Sequence, residues 1–259
     1  MCRFAAYLGP PIRLERFLLE PPHSLLKQSW QAREMRGATV NADGFGIGWY
    51  DAEQRPRAYR NPFPIWADPN LPALGASLER PLWAAGVRSA TDSFSGGHAN
   101  TQPFVDDELI FLHNGYLAGF ADGVRPYIRR WLRPEFEAAI HGNTDSEYLF
   151  AALRQLYWEN GDGTLEQALP RLCEQLADWA PEQPHLLNLA VADGRRLYAL
   201  RHAYRGECPS LYFTADDDAF PNGQLLASEP LTETGLWQPV PPHHLLVLDP
   251  DEPPSLLPL

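Results

Sequence analysis

Apolar positions along the chain fall into short runs whose period changes twice. Residues 2–9 are mostly apolar and close on Gly9-Pro10-Pro11, the pattern of a buried strand followed by a turn. Residues 14–19 and 24–30 carry short helical patterns. Within residues 41–50, Phe45, Ile47 and Trp49 alternate with Gly44, Gly46 and Gly48. This predicts a strand with one bare face, open either to a neighbouring backbone or to a ligand. Residues 82–89 and 109–112 are further apolar strands.

The period then lengthens. Residues 148–158 place Leu149, Ala152, Leu153 and Leu156 on one helical face, and Thr144 with Glu147 has the spacing of a capping box ahead of it. Residues 165–179 predict a second helix despite Pro170, with Cys173 as a core thiol. Strand patterns return at 186–192, 196–202, 211–214, 224–227 and 244–248, a second block of antiparallel sheet, and the Pro-rich residues 250–259 are expected to lie over the surface. Strands, two helices and strands again, without a long linker or internal repeat, predict an α+β fold. Two antiparallel sheets would carry helices on their outer faces, in a single domain over residues 1–259.

Composition narrows the partners. A chain of 259 residues that is 44% hydrophobic can bury a sizeable core. Its 33 acidic against 21 basic residues, a net charge of -12, argue against nucleic acid and suit small or cationic ligands. Cys2, Cys173 and Cys208 are odd in number and far apart, with no CxxC or His-containing pattern, so neither a disulfide framework nor a metal site is expected. No apolar run approaches the ~20 residues of a membrane span. Arg3, Pro10 and Pro11 leave no room for a signal-peptide core, and the cytoplasm, where thiols stay reduced, is the expected compartment.

Four positions carry candidate chemistry. Removal of Met1 makes Cys2 both a thiol nucleophile and a free α-amine with a pKa of about 7.7–8.0, a nucleophile and a potential base on one residue. Arg88 ends a strand ahead of the loop at 92–101, where it grips an anion or is simply solvated. Asn114-Gly115 reads as a tight turn, or else exposes a side-chain amide and a glycine N–H together, the donors of an oxyanion hole. Asp145 caps a helix or accepts a substrate ammonium.

Met1-Cys2-Arg3, Asn41-Ala42-Asp43-Gly44-Phe45-Gly46-Ile47-Gly48, Val87-Arg88-Ser89-Ala90-Thr91, His113-Asn114-Gly115, Asn143-Thr144-Asp145-Ser146-Glu147 and Ala227-Ser228-Glu229-Pro230-Leu231 occur in an order that resembles the glutaminase domain of class II glutamine amidotransferases. These are N-terminal-nucleophile hydrolases with a Cys nucleophile. The likeness covers nearly the whole chain and is strongest to the γ-glutamyl hydrolase branch of ergothioneine biosynthesis. Val87 and Ser89 beside Arg88 depart from the broader amidotransferase pattern.

The resemblance implies a four-layer αββα sandwich and hydrolysis of a γ-glutamyl amide through a Cys2 thioester, releasing glutamate. It implies Cys2, Asn114 and Gly115 as catalytic residues, and Arg88, Asp145, His113 and Thr91 as substrate-binding residues, with no cofactor and no metal. The implied partner is a small-molecule γ-glutamyl substrate, alongside a homodimer mate or a synthase, without nucleic acid or membrane. The resemblance to the ergothioneine branch implies a conjugate of trimethylated histidine as that substrate; to hold its quaternary ammonium on aromatic faces, Trp30, Phe45, Trp49, Phe94 and Phe104 lie near the motifs, though core packing also accounts for them. Two other functions fit the same residues: a glutaminase subunit supplying ammonia to a separate synthase, and a catalytically silent binding protein with the same fold.

Overall fold

The computed structural model describes residues 2–35, 40–90, 96–159, 161 and 163–259. Its elements in chain order begin with β1 (Arg3–Arg13), α1 (Leu14–Leu18), α2 (Leu25–Gln31), β2 (Phe45–Tyr50), β3 (Pro56–Asn61), α3 (Leu71–Ser77), β4 (Glu79–Val87), β5 (Phe104–Val105) and β6 (Ile110–Leu117). Helices α4 (Arg125–Trp131), α5 (Pro134–Glu137), α6 (Asp145–Glu159) and α7 (Leu165–Trp179) follow. The chain closes with β7 (His185–Ala192), β8 (Leu197–Tyr204), β9 (Tyr212–Thr214), β10 (Gln224–Ala227), β11 (Gln238–Pro239), β12 (His244–Asp249) and β13 (Glu252–Pro258).

The strands form two sheets, ordered β11-β9-β10-β1-β4-β2-β3 and β13-β12-β8-β7-β6-β5, antiparallel throughout. Strand alternation sorts the side chains into layers. From β1, Phe4, Ala6 and Leu8 enter a core between the sheets, which they share with Ile110 and Leu112 of β6 and Ala190 and Ala192 of β7. Ala5 and Tyr7 face the other way, onto Phe17 and Leu18 of α1 and Leu25 of α2. On the far side, Phe111 and Leu117 of β6 and Leu187 and Leu189 of β7 pack against Leu149, Leu153, Leu169 and Leu172 of α6 and α7. Helix, sheet, sheet, helix: this is the four-layer αββα arrangement.

Local readings fare unevenly. The strands of the last third are present but do not form a block of their own. β9, β10 and β11 extend the first sheet from β1, while β7, β8, β12 and β13 extend the second from β6. The tail lies at the surface as expected, but as an edge strand: β13 pairs with β12, Leu257 opposite Leu245, and its prolines are tolerated because one side of an edge strand needs no donors. Asn114-Gly115 makes no turn, since β6 runs on to Leu117 opposite β7. The bare face of β2 meets backbone, not ligand: a Cβ on Gly46 would overlap the Gln102 carbonyl oxygen.

Candidate active site

Cys2 stands at the head of β1, half-buried, with Sγ 3.9 Å from the Ser89 carbonyl oxygen. An ordinary chain end frays; here the next two residues are clamped. Arg3 pairs with Val87 across β1 and β4, and the Phe4 N–H donates to Ser228 Oγ at 3.1 Å while the Ser228 N–H returns a bond to the Phe4 carbonyl at 2.9 Å. The Arg3 guanidinium is fully buried and meets Glu229 at 3.6 Å. Glu229 also accepts from His23 Nε2 at 2.8 Å and from the Arg33 and Glu34 N–H groups at 2.7 and 3.0 Å. Burial opposes the Glu229 charge, yet these donors and Arg3 hold its pKa below the ordinary value; burial draws the Arg3 pKa down against the pull of Glu229. The other two thiols are inert by contrast: burial pushes Cys173 up to about 12 and raises Cys208.

Alternation along β6 divides the His-Asn-Gly motif between two layers. Asn114 lies on the inter-sheet face with Ile110 and Leu112, fully buried, its Nδ2 3.5 Å from Ser228 Oγ and its Oδ1 without a partner. Ser228 thus touches both the backbone beside Cys2 and the Asn114 amide. His113 faces α6. Its N–H donates to Gln102 Oε1 at 2.5 Å, and two pairs of residues on, the Leu117 N–H donates to Asp145 Oδ2 at 2.8 Å. Gly115 lies between them, so strand geometry turns its N–H to the same edge, where the cavity opens. Glycine is required there, because a Cβ would overlap the Leu186 carbonyl oxygen.

Arg88 follows β4 and is held by its backbone, its N–H donating to the Gly44 carbonyl at 2.8 Å and its carbonyl accepting from the Asp43 N–H at 3.0 Å. Its guanidinium is buried, Nη1 has no hydrogen-bond partner, and among the described residues it makes no ion pair. A desolvated cation so placed is poised for an anion. Asp145 opens α6. One oxygen takes Leu117 N–H and the other takes Ser146 N–H at 2.7 Å, which ties helix to strand and leaves carboxylate lone pairs over. The capping box forms only loosely: Thr144 Oγ1 is 3.4 Å from the Glu147 nitrogen, and Glu147 reaches back to the His141 and Gly142 N–H groups instead.

Both His113 ring nitrogens are engaged by the protein. Nε2 lies 3.1 Å from the Leu186 carbonyl, which can only accept, so Nε2 carries the proton; in the neutral ring Nδ1 is then an acceptor, 2.9 Å from the Ser146 hydroxyl, which also lies 3.2 Å from Asp145 Oδ1. Burial lowers its pKa against the opposing pull of Asp145, consistent with a neutral ring.

Cys2, Arg88, His113, Gly115 and Asp145 line one cavity of about 510 Å³. Thr91 and Phe94 lie outside the described residues. The other aromatic candidates do not line it: Phe45 and Phe104 are core residues, Trp49 packs on Trp83, and Trp30 is edge-on to Trp66. The walls add further residues. Asn100 binds Asn143, the first residue of the motif that holds Asp145, at 2.9 Å, Gln102 brackets His113, Tyr116 comes from β6, and Phe120, Asp122 and Arg125 come from a segment whose short turns lack a clear period and carried little sequence signal. Among the described residues no group of His, Cys, Asp or Glu could hold a metal ion, and no helix is long and apolar enough to cross a membrane.

A thiol at the start of a central strand, between two facing antiparallel sheets with helices outside, is the arrangement that the resemblance to N-terminal-nucleophile amidohydrolases implies. The chain belongs to the class-II glutamine amidotransferases, whose family pattern it matches over residues 23–214. It is 30% identical to the gamma-glutamyl-hercynylcysteine sulfoxide hydrolase of Mycolicibacterium smegmatis, with 95% of each chain covered. It is also 30% identical to the probable glutamine amidotransferase DUG3 of Saccharomyces cerevisiae, covering 96% of this chain and 82% of that protein. Among solved structures, a glutamine aminotransferase class-II domain protein from Silicibacter pomeroyi superposes with a TM-score of 0.74 at 27% identity, over 99% of both chains.

Proposed function

We propose that this chain hydrolyses the γ-amide bond of a γ-glutamyl compound through a thioester on Cys2, with γ-glutamyl-hercynylcysteine sulfoxide as the substrate. The observation that carries the reading is the convergence of Cys2, Arg88, whose Nη1 has no partner among the described residues, and the Asp145 carboxylate on one cavity. Arg88 takes the α-carboxylate of the glutamyl head and Asp145 its α-ammonium, which sets the γ-carbonyl over Sγ. With Met1 removed, the α-amine of Cys2 accepts the thiol proton and the thiolate attacks the γ-carbon. Gly115 N–H and the Asn114 amide hold the oxyanion. As the C–N bond breaks, the proton passes to the leaving amine; water then splits the thioester, giving glutamate and regenerating the thiol. His113, neutral and doubly bonded, orients Ser146 and the start of α6.

Substrate choice is supported by the hydrolase-named relative and by cavity walls that extend past the head-binding residues. Purified enzyme is expected to release glutamate from that conjugate, and Cys2→Ala to release none; turnover persisting in the variant would sink the reading. The equal identity to a protein named as a glutamine amidotransferase favours a second reading, a glutaminase subunit passing ammonia to a synthase. That reading requires free glutamine to be a good substrate and a partner protein to stimulate its turnover. Three unpaired thiols support a cytoplasmic setting for either.

A further inference from the structure

The wall beyond Gly115 is built rather than incidental. Gly119 adopts φ 63°, a left-handed turn that takes the chain off β6, and Phe120 then packs edge-on against Tyr148 of α6, ring centroids 5.3 Å apart. On Phe120 rests the Arg125 guanidinium, 5.9 Å from the ring centroid. Arg129, one turn along α4, is tied to Glu137 at 2.8 Å; the Arg125 backbone N–H donates to the Phe120 carbonyl, but its guanidinium makes neither a hydrogen bond nor an ion pair among the described residues. Its half-buried side chain lines the same cavity as Cys2.

Charge sets what this wall accepts. Among the described residues the cavity carries two cations, Arg88 and Arg125, and two carboxylates, Asp145 and Asp122. The glutamyl head uses one of each, Arg88 and Asp145, and free glutamine offers nothing more than that head and ammonia. At about 510 Å³ the cavity falls within the ~300–1,000 Å³ usual for drug-sized ligands, well beyond the needs of an amino-acid head. Resting on the γ-glutamyl hydrolase reading, we propose that Arg125 is a specificity-determining residue that binds a carboxylate on the leaving amine, so that the enzyme selects γ-glutamyl amino acids and peptides over glutamine. Tyr116 and Phe120 flank the stem of that amine, and Asp122 faces any cationic substituent it bears.

The test compares glutamate release from γ-glutamylcysteine with that from γ-glutamylethylamide, which has the same scissile amide and head but no second carboxylate. Wild type is expected to favour γ-glutamylcysteine. Arg125→Gln should lower its kcat/KM roughly 10- to 100-fold, mostly through KM, while leaving the ethylamide within about twofold, the scale expected for one charged hydrogen bond. Arg125→Lys should recover part of the loss, and thermal melting confirms that both variants fold. Equal losses on both substrates, or no loss on either, overturns the assignment of Arg125. Wild-type enzyme that cleaves no γ-glutamyl amide at all overturns the hydrolase reading itself, and the assignment with it.

Discussion

Arg3 and Glu229 meet at 3.6 Å with both side chains almost wholly excluded from water, one residue away from Cys2. The pair joins the head of β1 to the segment after β10, and Glu229 carries that anchor on to His23, Arg33 and Glu34. The candidate site is therefore held by a buried ionic knot directly behind Cys2.

Removing one partner of such a pair leaves the other charged and dry. Glu229→Gln is expected to destabilise the fold by about 3–5 kcal/mol, measured by urea unfolding at neutral pH. The Glu229 pKa lies below its unfolded value, so its stabilisation is present above the unfolded pKa and is lost as pH falls through the folded one. The gap between wild type and variant should accordingly shrink in acid below about pH 4.3. A variant as stable as wild type at pH 7 would show that the knot contributes nothing.

Asn114 is fully buried, and among the described residues only Ser228 lies within bonding reach of its amide nitrogen. If that amide serves the oxyanion, its removal acts on the transition state rather than on binding. Asn114→Ala should lower kcat about 10²- to 10³-fold with KM little changed. Ser228→Ala removes a bond from the Phe4 N–H and should cost about 1 kcal/mol in stability with a smaller kinetic effect. A loss in Asn114→Ala confined to KM would count against the oxyanion role.

Much of this arrangement was legible in the chain before folding. Period-2 and helical patterns located a helix at 165–179, the body of α6 (148–158 of Asp145–Glu159) and the strands β1, β2, β4, β7 and β10, because these runs are apolar enough to be buried in the layers. What local pattern does not carry is pairing. Nothing in residues 211–227 says that β9 and β10 join β1 rather than β8, since the choice is made by contacts distant in sequence. Asn114-Gly115 misleads for a related reason: a dipeptide that favours a turn in isolation stays extended when Gln102 and Asp145 take the backbone donors on either side of it. Glu229 and Ser228 stood out only as part of a motif, and their roles appear once β10 brings them beside Phe4. Arg125 had no signal, because a lone cation on a short helix looks like any solvated arginine.

The proposed chemistry needs a free amine on Cys2. Intact-mass measurement of active enzyme should therefore show loss of Met1, and protein in which Met1 is retained should fold normally but release no glutamate. Mild reductive methylation of the terminal amine in processed enzyme should change the pH dependence of kcat near the amine's ordinary pKa of about 7.7–8.0. Full activity with Met1 in place would remove the amine from the mechanism while leaving the thiol as nucleophile.

Histidine burial is expected to weaken the fold in acid. Burial lowers the His113 pKa below its ordinary 6.5, and burial with the neighbouring His243 lowers His202 to about 4. Both rings are neutral when folded and bind a proton more readily when unfolded, so their contribution is complete above about pH 6.5 and is lost as pH falls from there toward the folded values. Each proton taken up only by the unfolded chain tilts stability by about 1.4 kcal/mol per pH unit at most. Unfolding free energy measured from pH 7.5 to pH 5 should fall with acid, and His113→Asn and His202→Asn should each flatten the slope. The two differ in activity: His113→Asn removes an acceptor of the Ser146 hydroxyl next to Asp145 and should raise KM, whereas His202 lies on β8 outside the cavity and should not alter turnover. A pH slope unchanged in both variants would mean that other groups set the acid limit.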